Sequence, residues 1–450
     1  MKKMLFINEL LQFFDKKDYN IIKNLLLEAN PISIGVFLEK IAKNLDDLIY
    51  IVELIPDEKL AEILIYIDKD LFEVIVYNIT DKRLKEVINY IFVDDAVDFI
   101  LDANSDIVTK ILKNTDNSKR EIINKFLNYS ENSAGSIMTV EYVEFNIEET
   151  VSQSLDIIKS QGKNKKTIYS CYVVDDNKVL KGVVSLKNII FSKDEKFIKN
   201  IMNTDFISVN VNDDREYTAQ LFKKYSLIAM PVIDKENKIV GIITIDDVVD
   251  VIDEENTEDI EKMSALTPSE YEYLKTSVWT LAKNRITWLL ILMISGTITG
   301  TIIGKYETLL SSMVVLTAFV PLLMDTGGNA GSQSSTLIIR GIALGEININ
   351  DIFKVIFKEL QVGFLCGLVL GFVNFVRLII IKPNDIIVNI TVSLSIMFVV
   401  VVAKTVGCIL PIIAKKLNFD PAIMAGPLIT TIVDAVALLI FFNFAKLFIF

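Results

Sequence analysis

A single carboxylate, Asp434, stands near the centre of the last apolar stretch of the chain, in Pro427-Leu-Ile-Thr-Thr-Ile-Val-Asp434-Ala-Val-Ala. A carboxylate at mid-bilayer costs about 2.5–3.5 kcal/mol on insertion scales, so it marks a polar route or pairs with a neighbouring helix. Thr430 and Thr431, one turn earlier, add hydroxyl oxygens to the same route. With no His or Cys beside it, such an oxygen-only set suits a hard cation, Mg2+ or Ca2+, over Zn2+ or copper. The second polar feature in an apolar setting is Met324-Asp-Thr-Gly327-Gly328-Asn329-Ala-Gly331-Ser-Gln333-Ser-Ser. Its paired glycines predict a break in the span, with carbonyls turned to a cavity or packed against protein, because free backbone groups are tolerated at membrane depth only there. Asn329 and Gln333, one turn apart, would face that cavity. Pro421, Gly426 and Pro427 loosen the start of the last span, and Glu359 places a second carboxylate, or a plain interfacial charge, at the membrane boundary.

A third chemical feature precedes the apolar half. From Asp246 to Glu261 the chain carries nine carboxylates and no Lys or Arg. Interleaved Val248, Val249, Val251, Ile252 and Ile260 make a helix plausible, with Asp247, Asp250, Glu254, Glu258 and Glu261 on neighbouring turns of one face. Like charges at these spacings cost about 0.2–0.5 kcal/mol per pair. The segment wants a compensating cation; a solvated acidic face or linker is the alternative.

The elements that must position these groups follow from composition. The 450 residues are 51% hydrophobic yet 23% charged, figures that fit a charged part fused to a membrane part. Residues 1–275 hold 34 Lys and Arg against 50 Asp and Glu, a net of −16, and residues 276–450 hold 12 against 8, a net of +4. An acidic soluble half excludes nucleic acid as a partner, since phosphates require a basic surface. The absence of histidine removes the commonest general base, and three distant cysteines (Cys171, Cys366, Cys408) form neither a disulfide framework nor a CxxC site. The N-terminus has charges too close to its apolar run for a signal peptide, which keeps the acidic half in the cytoplasm.

Residues 1–130 repeat apolar residues at three- and four-residue spacing, as in Leu60, Ile63, Leu64, Ile67, and read as short amphipathic helices that must stack. Pro31 and Pro56 stand where helices would start. Residues 131–250 contain a duplication: Ser136-Ile-Met138-Thr, Tyr172-Val-Val-Asp175 and Gly182-Val-Val-Ser in the first copy correspond to Ile201-Met202-Asn, Pro231-Val-Ile-Asp234 and Gly241-Ile-Ile-Thr in the second. Each copy predicts strand, helix, strand, turn, strand, helix. It resembles a tandem pair of CBS modules, which often bind adenosine nucleotides. Thr244 and Asp247 match the ribose-holding pattern of such modules, whereas the first copy offers Ser185 and Asn188.

An acidic connecting helix follows at 251–275, and residues 276–450 hold five apolar stretches at about 285–304, 309–339, 357–381, 386–413 and 421–449, each long enough for a hydrocarbon core of about 30 Å. Lys283, Arg285, Arg340, Lys354, Lys358, Lys415 and Lys416 fall on one side, against Lys305, Arg377, Lys382 and Lys446 on the other. The positive-inside rule then puts the N-terminus in the cytoplasm and the C-terminus outside. The expected fold is multidomain: an all-α N-terminal domain, an α/β CBS pair, and an α-helical membrane domain of five transmembrane helices.

In this combination the chain resembles the MgtE family of magnesium channels over nearly its whole length. The most specific pieces are Gly327-Gly-Asn-Ala-Gly-Ser-Gln333-Ser, the segment from Asp420-Pro421 to Asp434, and Thr257-Glu-Asp-Ile260. The resemblance implies a non-enzymatic homodimer in the plasma membrane, set in lipid, with a pore between protomers lined by Gly327, Gly328, Asn329, Gln333, Thr430 and Thr431. It implies that Asp434 holds a hydrated Mg2+, and that Asp247, Asp250, Glu255, Glu258 and Asp259 of the connecting helix bind regulatory Mg2+. Glu62, Asp94 and Asp98 of the N domain, and Asp214 and Glu216 of the second CBS module, look like further ligands. ATP is the implied nucleotide at the CBS pair. One departure is Ser226, where the family pattern can offer a carboxylate after Tyr225. The expected behaviour is Mg2+ uptake shut off by internal Mg2+. The alternative is a proton- or Na+-coupled secondary transporter of a divalent cation regulated by nucleotide binding to the CBS pair. An enzyme is disfavoured, since the chain has no Walker loop and no recognisable nucleophile–base pair.

Overall fold

The computed structural model of the chain describes residues 2–268, 273–274 and 276–449. It forms two compact units, Met1–Ile252 and Asp253–Phe450.

The first unit begins with short helices: α1 (Lys2–Asp15), α2 (Tyr19–Glu28), α3 (Pro31–Ile41), α4 (Leu45–Leu54), α5 (Asp57–Leu64), α6 (Lys69–Asn78), α7 (Asp81–Tyr90), α8 (Val93–Asp102), α9 (Ser105–Asn114) and α10 (Asn117–Phe126). Side chains of Asp18, Asn30, Asn44, Asp68 and Thr80 accept hydrogen bonds from first-turn amides, and Pro31 and Pro56 sit at helix starts as the sequence predicts. Alternate helices pack, α1 on α3, α3 on α5, α5 on α7 and α7 on α9, so each amphipathic face is covered two helices along.

The carbonyls at helix ends are met by basic residues from later layers. Lys59 donates to Leu27 O, Lys110 to Val76 O and Ile79 O, and Lys119 to Ile88 O. Arg83 donates to Val52 O at 3.0 Å and to Ile55 O, and pairs with Asp57 at 2.9 Å and Glu53 at 3.2 Å. Hydrogen bonds to a charged group contribute about 1.5–3 kcal/mol, and a stranded buried carbonyl costs more. Arg83→Ala is therefore expected to destabilise this domain by about 2–4 kcal/mol. Thermal unfolding of the purified chain measures it; an unshifted melting temperature would show the carbonyls are satisfied without the guanidinium.

The duplicated region folds as the repeat predicts. The first copy comprises β1 (Glu144–Asn146), α11 (Val151–Gln161), β2 (Ser170–Val174), β3 (Leu180–Ser185) and α12 (Leu186–Ile190). The second comprises β4 (Val209–Asn210), α13 (Arg215–Tyr225), β5 (Ala229–Ile233), β6 (Ile239–Thr244) and α14 (Ile245–Met263). Both sheets pair their first two strands parallel and the last two antiparallel, with Glu144 opposite Tyr172 and Val209 opposite Val232. The duplicated Met and Gly explain each other. A side chain on Gly182 would stand 2.7 Å from Met202 Sδ, and one on Gly241 would stand 2.7 Å from Met138 Sδ. Each copy's methionine thus seats on the other copy's sheet, tying the pair together.

In the second unit the apolar stretches are helices: α15 (Val278–Lys305), α16 (Glu307–Ser312), α17 (Val320–Ala343), α18 (Ile352–Ile381), α19 (Ile386–Lys416) and α20 (Gly426–Phe448). Among the described residues four segments are long and apolar enough to cross a membrane: Val278–Lys305, Ile349–Ile381, Ile386–Lys416 and Pro421–Phe448. α17 has the length, 24 residues, but Asp325, Asn329, Gln333 and its serines lower its apolarity. The expected count of five therefore rests on a helix whose polarity has a different purpose.

The break expected at Gly327-Gly328 is absent: α17 runs continuously through both. The interruption lies earlier, in the 3-10 turn Val314–Phe319. The glycines serve packing instead. A Cβ on Gly327 would lie 2.8 Å from Val399 and 2.9 Å from Val433, and one on Gly331 would lie 3.3 Å from the Ala403 carbonyl. Gly363, Gly367 and Gly371 of α18 make the same kind of seam against α19, where a Cβ on Gly367 would lie 2.6 Å from Met397 O. Small residues at four-residue spacing let membrane helices approach closely. Similarly, the acidic helix ends at Met263 rather than 275; residues 269–272 and 275 of that expected helix lie outside the described residues.

Candidate functional site

α17 is two-faced. Leu323, Gly327, Ala330, Gly331, Ser334, Ile338 and Ile342 are buried. Asp325, Asn329, Gln333, Thr336 and Arg340, at spacings of four, four, three and four, are exposed along one side. A polar stripe at membrane depth needs water or protein against it, since lipid satisfies none of its groups.

Asp434 of α20 is half-buried beside this helix: its Oδ1 lies 3.9 Å from where a Cβ on Gly328 would stand. Any side chain at 328 would push against Thr430, 3.1 Å away, so glycine keeps the approach to the carboxylate open. The hydroxyls of Thr430 and Thr431 both donate to Pro427 O at 2.9 Å, which leaves their lone pairs for other donors. Asp325 was not among the sequence candidates, although its four-residue spacing to Asn329 could have revealed it.

The second unit also has a compact acidic group, between the end of α14 and the start of the last span. Lys262 of α14 donates to Asp420 Oδ2 at 2.6 Å and also pairs with Glu258. Asp420 caps the 3-10 turn Pro421–Met424 through its other oxygen. Asp259 beside them is pushed up to about 6, first by burial and then by the Asp420 charge. Lys262, one residue past the nine-carboxylate run, is thus the counter-ion that the run itself lacks.

In the first unit a second lysine has the same part. Lys166, from the loop before β2, donates to Asp94 Oδ2 of α8 at 2.8 Å and to Asp247 Oδ1 of α14 at 3.3 Å, with Asp246 at 3.9 Å. The three groups join the helical domain to both CBS copies. The Lys166 and Asp94 side chains are only 12% and 8% exposed, so this ion pair is poorly screened. One ammonium does not balance the site: burial and the Asp94 charge push Asp95 up, and burial does the same for Asp247. Asp94 Oδ1 is buried with no hydrogen-bond partner, so a further cation is the group that would fit there. Among the described residues no three carboxylates converge closely enough to hold a bare ion.

The remaining candidates lie apart from these groups, except Asp98, one turn beyond Asp94 on α8. Glu62 and Asp98 are exposed on α5 and α8. Asp214 caps α13, accepting from Glu216 N at 2.8 Å and Tyr217 N at 3.1 Å, and Glu216 accepts from Gln220. Asp250 is exposed and Glu255 half-buried on α14. Ser226 ends α13 in a left-handed turn at φ 52°. Thr244 donates to Asp247 Oδ2 at 2.6 Å, and Ser185 caps α12 by accepting from Asn188 N, so both copies hold these ribose-pattern residues in local hydrogen bonds.

Comparison with known proteins agrees with this layout. Residues 320–444 match the MgtE divalent cation transporter family, 29–132 the MgtE intracellular N domain, and 134–194 and 198–254 the CBS domain. The magnesium transporter MgtE of Thermus thermophilus is 37% identical over 319 residues, 71% of this chain and 70% of that protein. The chain belongs to the MgtE family. Its members make it a multi-pass membrane transporter and not an enzyme. The MgtE of Bacillus subtilis is 34% identical over 75% of this chain and 74% of its own length. Among solved structures, the soluble part of a magnesium transporter is similar at TM-score 0.53 and 29% identity, over 56% of this chain and 99% of that one. The cytosolic domain of the Mg2+ channel MgtE in complex with ATP is similar at TM-score 0.51 and 27% identity, over 54% and 99%.

Proposed function

We propose that the chain, as a homodimer in the cell membrane with its acidic half in the cytoplasm and its C-terminus outside, conducts Mg2+ down its electrochemical gradient and closes as internal Mg2+ rises. The polar stripe of α17 beside Asp434 carries this reading. Asp325, Asn329 and Gln333 supply oxygens along one side of a helix set among apolar spans, and Asp434 supplies the charge. A few carboxylates cannot replace the six waters of Mg2+, which dehydrates reluctantly, so the ion passes hydrated and Asp434 binds it through its water shell. Thr430, Thr431, Asn329, Gln333 and the helix face at Gly328 line that route, while Gly327, packed against Val399 and Val433, stands behind it. Mg2+ uptake into liposomes holding only the purified chain tests it; uptake no faster than in empty liposomes would overturn it.

Closure is an electrostatic event. The acidic surfaces repel while internal Mg2+ is low, and bound Mg2+ compacts them. Asp94, Asp98, Asp247, Asp250, Glu255, Glu258, Asp259, Glu62, Asp214 and Glu216 are the ligands proposed for it, mostly through water. Mg2+ at millimolar levels is expected to slow proteolysis near 130–136 and 246–265 several-fold over chelator. Equal rates would contradict that, and equal protection by NaCl would assign the effect to screening. The similarity to an ATP complex supports ATP binding at the CBS pair, with Thr244 and Asp247 released from one another to meet the ribose.

A further inference from the structure

The membrane unit buries a charge that the ion route above does not use. Lys404 lies within α19, a span of mean hydropathy 2.7, and is only 6% exposed. Its Nζ donates to Ser334 Oγ of α17 at 3.4 Å, and Ser334 Oγ in turn donates to Glu359 Oε2 of α18. The direction is fixed by chemistry: an ammonium only donates, a carboxylate only accepts, and a hydroxyl does both. Three helices meet there because Gly363 leaves room, its Cβ position lying 3.7 Å from Lys404 Cβ and 3.1 Å from the Val401 backbone.

Two opposite charges in an apolar bundle, joined through one hydroxyl, form a neutral set, and removing either leaves the other uncompensated. Their place makes that imbalance matter. Ser334 is six residues along α17 from Gly328, about 9 Å at the helical rise, and Gly328 faces Asp434. Resting on the proposed route along α17 and α20, we propose that Glu359 and Lys404 set the electrostatic level of that route, and so its preference for divalent over monovalent cations. Glu359 cancels the field of Lys404; without it, an unbalanced positive charge acts on the passing ion from the buried side of α17. Coulomb energy scales with valence, so a charge that slows a monovalent cation about tenfold slows a divalent one about a hundredfold.

This predicts opposite effects from two neighbouring substitutions, which a merely structural clip does not produce. The full chain is reconstituted in liposomes, and Mg2+ and K+ fluxes are measured at one fixed voltage. Glu359→Gln is expected to lower Mg2+ flux at least tenfold more than K+ flux. Lys404→Met is expected to lower the half-saturating Mg2+ concentration, and the double variant to return the Mg2+/K+ ratio to within about threefold of the parent, since removing both opposite charges leaves the net field on the route nearly unchanged. Lys404→Arg, which keeps the charge, should match the parent. If Lys404→Met does not fold, Glu359→Gln and Lys404→Arg still decide. Equal scaling of both ions in Glu359→Gln, or both single variants falling alike with no recovery in the double, would overturn the proposal. A parent that conducts no Mg2+ would instead refute the proposed function.

Discussion

Asp434→Asn is expected to reduce Mg2+ flux by at least about a hundredfold while expression and oligomeric state stay unchanged. Asparagine keeps the shape but removes the charge and turns one acceptor oxygen into a donor, so the loss reports the charge together with the acceptor for the ion's water shell. A unit charge acting on a divalent ion across one water shell is worth several-fold more than the same charge acting on a monovalent ion through bulk water. The half-buried position of Asp434, against Gly328, keeps solvent from screening it fully. Asp434→Ala should lose at least as much. Asp325→Asn, on the exposed side of α17, should lose less. Liposome uptake at fixed voltage measures all three, and parent-like flux in Asp434→Asn would remove this residue from the path.

The gating machinery should respond in two directions. Asp247→Asn with Asp250→Asn is expected to leave a channel that conducts at internal Mg2+ levels where the parent is silent. Asp247 meets Lys166 and Thr244 at the junction with the helical domain, so its carboxylate serves both the lysine and the ion. Replacing Asp94 and Asp98 should act alike, since the closing Mg2+ proposed above is held between both surfaces. Lys166→Gln should do the reverse. It frees Asp94 Oδ2 and Asp247 Oδ1 from the ammonium, so Mg2+ meets more negative charge and closes the channel at about tenfold lower concentration. Patch recording with internal Mg2+ stepped from micromolar to about 10 mM spans sensor-type to weak sites. If the Asp247/Asp250 variant closes at the parent's concentration, the acidic helix is not the sensor. If Lys166→Gln raises that concentration, the lysine helps closure instead of competing with it.

The domain order was readable because each part has a strong local signal. Three-four spacing marked the stacked helices, the duplicated Met–Gly pairs marked the CBS copies, and long apolar runs marked the spans. What escaped depends on partners distant in sequence. Gly327 and Gly328 look like a helix break until Val399, Val433 and Thr430 are seen against them. Lys166 and Lys262 look like ordinary surface lysines, yet they supply the counter-charges for Asp94, Asp247 and Asp420 from 72, 81 and 158 residues away. Lys404 is a lone charge in an apolar run, and only the fold reveals Ser334 and Glu359 as its partners. The polar stripe of α17 was half visible: Asn329 and Gln333 were apparent, but its continuation to Asp325 and Arg340 needed the unbroken helix.

The central claim is that Mg2+ moves alone through this route. It is tested most directly by the reversal potential of currents through the purified, reconstituted chain, with Mg2+ the only permeant ion placed unequally across the membrane. The reading predicts current without any proton or Na+ gradient, reversing near the equilibrium potential for a divalent ion, about 30 mV per tenfold Mg2+ ratio. A reversal potential that follows an imposed proton or Na+ gradient, or Mg2+ movement only when such a gradient is present, would contradict it and make the chain a coupled transporter.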